Sequence, residues 1–327
     1  MKRNLHAGKC LNGGLSLNVL TNDELLEIHL ATLEILEKKG VFVEDDEALN
    51  IFDGGGCMVN RKTKNVKIPP YLVEDCIRSA PSKVVLYGRN PQNDIVLESN
   101  RVGFTNFGEG VMVYDLYTGE HRKATKQDVA NSAKLADALS EVDVYERALH
   151  PHDVPEEVSP LHIAEAYFTN TSKHCHHGPG SGWLAKHLFK MAAVVAGGKE
   201  KLRERPIISS LVCPVSPLRL VGDCCQVIIE GARAGVPINV LSMGMSGGST
   251  PITLAGTLVT HNVEVLSGLV LHQLTLKGAP FIYGSSTTCL DLRLTTAPVG
   301  APELGMISAG VAKLAQYYLL PSFVAGG

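Results

Sequence analysis

Short apolar runs recur along the chain at positions 102–107, 144–149, 174–177, 207–212, 238–243, 281–283 and 322–325. Segments of helical length separate them, at 126–139, 156–169, 183–196, 222–234, 254–276 and 302–318. Successive runs start roughly 30–40 residues apart, the length of one strand–loop–helix–loop unit. The runs do not alternate cleanly between apolar and polar, which suits strands covered on both faces. Seven such units without hairpin signals predict an α/β fold, a (βα)8 TIM-type barrel with about seven strands present. The chain stops at Leu320-Pro321-Ser322-Phe323-Val324-Ala325-Gly326-Gly327, a strand running into glycines. The expectation is therefore a barrel incomplete at its C-terminus, lacking its last strand and last two helices. An open doubly wound sheet is the alternative; even spacing favours closure.

Residues 1–100 have a different rhythm and are expected to form an N-terminal α+β annex, with the barrel over 101–327. Thr21-Asn22-Asp23-Glu24 is a capping box, followed by Leu26, Leu30, Leu33 and Leu36 as the expected apolar face. A second helix is expected from Asp45 to the Gly54-Gly55-Gly56 stop, and a third from Pro69-Pro70 to Ser79. Thr125-Lys126-Gln127-Asp128 marks the start of the first barrel helix.

The composition narrows the function class. A net charge of −3 with 19% charged residues argues against a nucleic-acid partner. With no apolar run of about 18 residues, no membrane span is expected. Met1-Lys2-Arg3 is followed by no apolar stretch, so no signal peptide is expected either. The 8 cysteines form no CxxC pair, which points to reduced thiols in the cytoplasm.

In a βα barrel, chemistry sits in the loops after the strands. Glu109, between Gly108 and Gly110, is the foremost acid/base candidate of the first half. Phe107 and Tyr283 stand where rings could face an ammonium group, and Met243 and Ser285 stand at neighbouring strand ends. His150 and His152 lie beyond the second run, and His174-Cys175-His176-His177 forms the third. On a strand, His174 and His176 face one way while Cys175 and His177 face the other, so no metal site is expected. Gly247, Gly248 and Ser249 form a small-residue turn able to approach a large flat group closely; a phosphate cradle is the alternative. These residues describe a wide polar mouth and name no substrate.

Longer words do. The segments running from Pro237 through Ser249, from Leu254 through Asn262, from Tyr283 through Thr288 and from Ala297 through Gly305, with the closing Leu320 through Gly327, resemble the trimethylamine–corrinoid protein methyltransferases. The resemblance implies a barrel that moves a methyl group from trimethylamine to the cobalt of a corrinoid carried by a cognate partner protein. It also implies pyrrolysine just after Gly327, at an amber codon that would explain the early end. By position along the chain, and not from the resemblance, the expected catalytic set is Glu109, His150 and His176, with Phe107, Tyr283, Ser285 and Met243 binding the substrate. Gly247, Gly248, Ser249, Gly326 and Gly327 would face the corrinoid, and the protein would be a homo-oligomer. The alternatives are a pyrrolysine-free relative demethylating a quaternary amine such as glycine betaine, a zinc-dependent methyltransferase, and an inactive fragment or binding protein.

Overall fold

Six of the seven expected strands form one parallel sheet in chain order. A computed structural model describes residues 9–10, 18–99 and 101–325. The strands are β1 (Val144–Glu146), β2 (His174–His177), β3 (Ile208–Val212), β4 (Ile238–Ser242), β5 (Phe281–Ser285) and β6 (Ser322–Val324). In the N-terminal part of the chain, expected as the annex, α1 (Asn22–Lys38), α2 (Asp46–Gly54) and α3 (Pro70–Ser79) come first. The helices that follow are α4 (Lys126–Ala138), α5 (Ser159–Asn170), α6 (Gly182–Ala196), α7 (Lys199–Glu204), α8 (Gly222–Ala234), α9 (Leu254–Thr275) and α10 (Pro302–Tyr317).

The sheet is curled. The ring of Phe323 on β6 stacks on His176 of β2, with 4.7 Å between centroids. Four strand spacings separate those strands, roughly 19 Å if the sheet were flat. Only curvature brings the two rings together, so their side chains share an interior. One end of that interior is closed by a hairpin, Val84–Leu86 against Ile95–Leu97. Its Val84, Leu86 and Ile95 pack with Val144 at the start of β1 and Ile282 near the start of β5. The opposite end, at the strand C-termini, is open.

The expected run at 102–107 forms no continuous strand. Thr105 makes an isolated parallel bridge to Val144, and the Phe104 carbonyl accepts from the amides of Asp143 and Val144. Farther on, the chain is pressed against the loop after β1: a Cβ on Gly108 would stand 2.4 Å from the Arg147 carbonyl oxygen. This segment follows the sheet edge without a ladder.

The annex helices start as their caps dictate. Thr21 Oγ1 accepts from the Glu24 amide while Glu24 reaches back to the Thr21 amide, closing both halves of the box. The buried face of α1 is Leu25, Ile28, His29, Thr32 and Leu36; Leu26 and Leu30 point outward. The expected leucine face is thus rotated. His29 and Thr32 are polar yet buried, because each has a partner: His29 meets Tyr318 and Glu74, and Thr32 accepts from Asn262 of α9.

α9 is long and apolar enough to cross a membrane by length and composition, but here it is the central helix, 72% buried in its most apolar window. α1, α2, α3, α8 and α10 pack around it. The annex sheet also borrows Arg219–Leu220 from beyond β3, paired in parallel with Val41–Val43. One apolar cluster runs from Leu25 of α1 through the barrel-like half to Leu320.

Candidate active site at the strand ends

Strand alternation decides which side chains reach the open end. The register pairs Glu146 with His176, His176 with Ser209, and Gly284 with both Leu241 and Phe323. These residues face the interior. Their neighbours Tyr145, Cys175, His177, Val240 and Tyr283 face the helices. The interior opens into a cavity of about 590 Å³. Phe107, Glu109, Glu146, Arg147, His176, Cys213, Met243, Ser285, Val299 and Phe323 are among the residues lining it.

The floor is a directed chain of hydrogen bonds. The Tyr87 carbonyl lies 3.0 Å from His174 Nδ1 and can only accept, so that nitrogen carries the proton. Neutral His174 then offers Nε2 as acceptor, and the Ser209 hydroxyl donates to it at 2.9 Å. Ser209 Oγ in turn accepts from His176 Nδ1 at 2.7 Å, leaving His176 Nε2 to accept from the Asn239 amide at 3.2 Å. Burial pulls His174 down to about 4 and His176 to about 3, the neighbouring His174 adding to the latter. Both rings are neutral near pH 7. His176 was expected as an acid/base group, but both its nitrogens are engaged below the cavity, and it presents only a ring.

The expected Tyr283 ring is also elsewhere. It is fully buried on the outer face of β5, its hydroxyl donating to Asn262 Oδ1 at 2.6 Å. The period-two alternation that points Ile282 and Gly284 inward turns Tyr283 outward. Phe323, which the sequence reading passed over, supplies the interior ring instead.

Glu109 and His150 do meet. His150 Nδ1 lies 3.2 Å from Glu109 Oε1, and Arg147 pairs with Glu109 Oε2. Phe107 stands exposed at the rim with Met243. Ser285 is buried at the end of β5, its hydroxyl accepting from the Thr287 amide. Gly247, Gly248 and Ser249 do not reach the cavity. Their turn is closed on itself: the Gly247 amide donates to Thr250 O, the Gly248 amide to Met245 O, and Ser249 Oγ accepts from the Met245 amide. Amides spent this way cannot cradle a phosphate. Gly326 and Gly327 lie outside the described residues.

Two charged residues were missed. Glu146 and Arg147 belong to an expected strand, and alternation from Val144 would have turned Glu146 inward. Burial pushes the Glu146 carboxyl up to about 7; the Glu109 carboxylate adds to this and Arg147 opposes it. The Cys213 thiol at the rim is pushed to about 11 by burial, with Glu146 adding, so it is no thiolate near neutrality. Among the described residues, no group of three or more His, Cys, Asp or Glu side chains is placed to hold a metal ion.

The geometry defines a barrel-like α/β protein with a small-molecule cavity at the C-terminal ends of its parallel strands. The family model described as trimethylamine methyltransferase (MTTB) matches residues 4–327, and the chain belongs to that family. It is 58% identical over 323 residues to the trimethylamine methyltransferase MttB of Desulfitobacterium hafniense, covering 99% of this chain and 65% of that protein. The MttB of Methanosarcina thermophila is 48% identical, with 99% and 68% covered. A glycine betaine methyltransferase of Desulfitobacterium hafniense is 34% identical, with 95% and 64% covered. The chain thus spans about two thirds of the length of these relatives. The crystal structure of the Methanosarcina barkeri monomethylamine methyltransferase has the same fold, at a TM-score of 0.52 and 16% identity, covering 93% of this chain and 67% of that one.

Proposed function

We propose that this chain carries the amine site of an enzyme that transfers a methyl group from trimethylamine to a corrinoid held by a partner protein, on a (βα)8 barrel. The observation that carries this reading is the 58% identity to a protein named trimethylamine methyltransferase, against 34% to one named glycine betaine methyltransferase.

A neutral amine is a poor leaving group, so its nitrogen must be cationic before a methyl departs. The cavity suits that state: its charged lining is Glu109, Glu146 and Arg147, two carboxylates against one guanidinium. Phe107 and Phe323 offer ring faces to the methylated nitrogen. Glu109, oriented between Arg147 and His150, holds or moves a proton at the rim. The exposed Phe107, Met243 and Val299 form an apolar lip at the cavity. When the partner docks, its corrinoid supplies the cobalt that accepts the methyl; this chain binds and orients the amine and excludes water. The turn of Gly247, Gly248 and Ser249 belongs to the face the partner meets.

The test is methylation of a cobalt(I) corrinoid protein, followed by its absorption spectrum, with trimethylamine or glycine betaine as donor. Methylation from trimethylamine alone is expected. Methylation from glycine betaine alone would move the chain to the quaternary-amine reading, and none from either would overturn the proposal.

A further inference from the structure

Of the three charged side chains that line the cavity among the described residues, Arg147 is engaged by Glu109. That pair cancels, and Glu146 leaves the ionised cavity with one net negative charge. Glu146 sits at an inward register position beside His176 and is less exposed than Glu109. Resting on the amine reading above, we propose that Glu146 is the counter-ion of the substrate nitrogen, so that the cavity takes the amine as a monocation against this carboxylate.

The groups facing Glu146 leave its charge undecided near neutrality. His176 on β2 is neutral and Cys213 beyond β3 is a thiol, so among the described residues of the lining Glu109 and Arg147 are its charged neighbours. Burial pushes its carboxyl up to about 7. In the empty cavity Glu146 therefore holds a proton at acid pH and gives it up as the pH rises through neutrality. A cation that enters expels it: the carboxyl O–H bond breaks, the proton goes to solvent and the carboxylate remains against the ammonium. If a neutral tertiary amine enters instead, the same proton moves to the nitrogen lone pair and none is released. Either route ends in one ion pair with no net charge. A quaternary amine has only the first route, and it binds at the expense of a released proton at low pH.

Tetramethylammonium, a cation with no proton to exchange, is the probe. Its binding is measured by calorimetric titration of the full chain from about pH 5.5 to 8.5, in two buffers of different ionisation heat. Affinity is expected to rise close to tenfold per pH unit below about pH 7 and to level above it, with up to one proton released per site at the acid end. Glu146→Gln should bind about tenfold or more weakly at pH 8, release no proton and lose the pH dependence; its thermal unfolding confirms that it is folded. Should that variant not fold, proton release by the unsubstituted protein decides alone. A flat profile without proton release, or an unchanged profile in a folded Glu146→Gln, overturns the proposal. Failure to bind any amine cation at any pH would overturn the proposed function instead, so the two failures are distinct.

Discussion

A Cβ atom added to Gly284 would stand 1.9 Å from Oδ1 of Asn239. Glycine is therefore needed on β5 for the Asn239 amide to lie across the interior and reach His176. The Asn239 Oδ1 itself has no hydrogen-bond partner, so relieving the clash by moving the amide would also break its bond to His176. Gly284→Ala should destabilise the protein by about 2–3 kcal/mol. Removing the obstruction in Asn239→Ala/Gly284→Ala should cost less than the sum of the single changes, as read from urea midpoints. Strict additivity would mean that the two residues do not meet.

Five histidines are buried neutral: burial pulls His174, His176, His261 and His272 to about 4, 3, 3 and 3, the four summed below, and holds His177 well under its ordinary value. Their folded values are depressed below the unfolded one, so the unfolded chain binds more protons as pH falls below about 6.5. Stability is full above that pH and is lost progressively beneath it, by about 1.4 kcal/mol per unit for each histidine. By pH 5 the summed loss is about 8 kcal/mol, comparable to the whole stability of an ordinary domain. Circular dichroism should record cooperative unfolding between about pH 5 and 4. Persistence of the native signal below pH 4 would contradict neutral burial of these rings.

Among the polar contacts that tie the N-terminal helices to the parallel sheet, one forms a chain. Tyr283 donates to Asn262 Oδ1, Asn262 Nδ2 donates to the Tyr318 hydroxyl, and Tyr318 meets His29 Nδ1 at 3.1 Å. His29 Nε2 lies 2.7 Å from Glu74, a carboxylate that can only accept, so Nε2 is the donor there and the Tyr318 hydroxyl is the partner of Nδ1. Tyr318→Phe leaves His29 Nδ1 unpartnered and should cost about 1–3 kcal/mol. The adjacent and more exposed Tyr317→Phe serves as the control and should cost less than about 0.5 kcal/mol. Equal thermal midpoints for the two variants would remove the tie.

The Glu109 carboxylate raises the Glu146 carboxyl and Arg147 lowers it. Glu109→Gln removes the first influence and frees the guanidinium for Glu146. The midpoint of amine binding against pH should therefore move down by a fraction of a unit, and binding above that midpoint should weaken, because the freed guanidinium competes with the amine for Glu146. An upward movement would reverse the assigned electrostatics.

Much of the fold is legible in the chain because its signals are local. Caps at Thr21 and Thr125, proline at the first turn of α3 and the apolar runs of β2 through β6 act over a few residues, and their elements form nearly where expected. The run at 102–107 did not become a strand because its glycine-rich continuation, at Gly108, is pressed against the Arg147 carbonyl, a contact between segments 39 positions apart. The face of α1 was misjudged for a related reason: His29 and Thr32 are buried only because Tyr318 and Asn262 arrive from distant helices to bond them.

The site divides in the same way. The sequence by itself put His150, Met243 and Ser285 at the ends of strands that form, and Phe107 and Glu109 after an expected strand that does not form, since loop position follows from element order. It could not decide which rings and carboxyls share the interior. The curl of the sheet did that, setting Phe323 on His176, turning Tyr283 outward and sinking Glu146 beneath the rim. Alternation along a strand can be read from one segment, but which face becomes the inside depends on where the sheet bends, and that is decided by packing across the whole molecule.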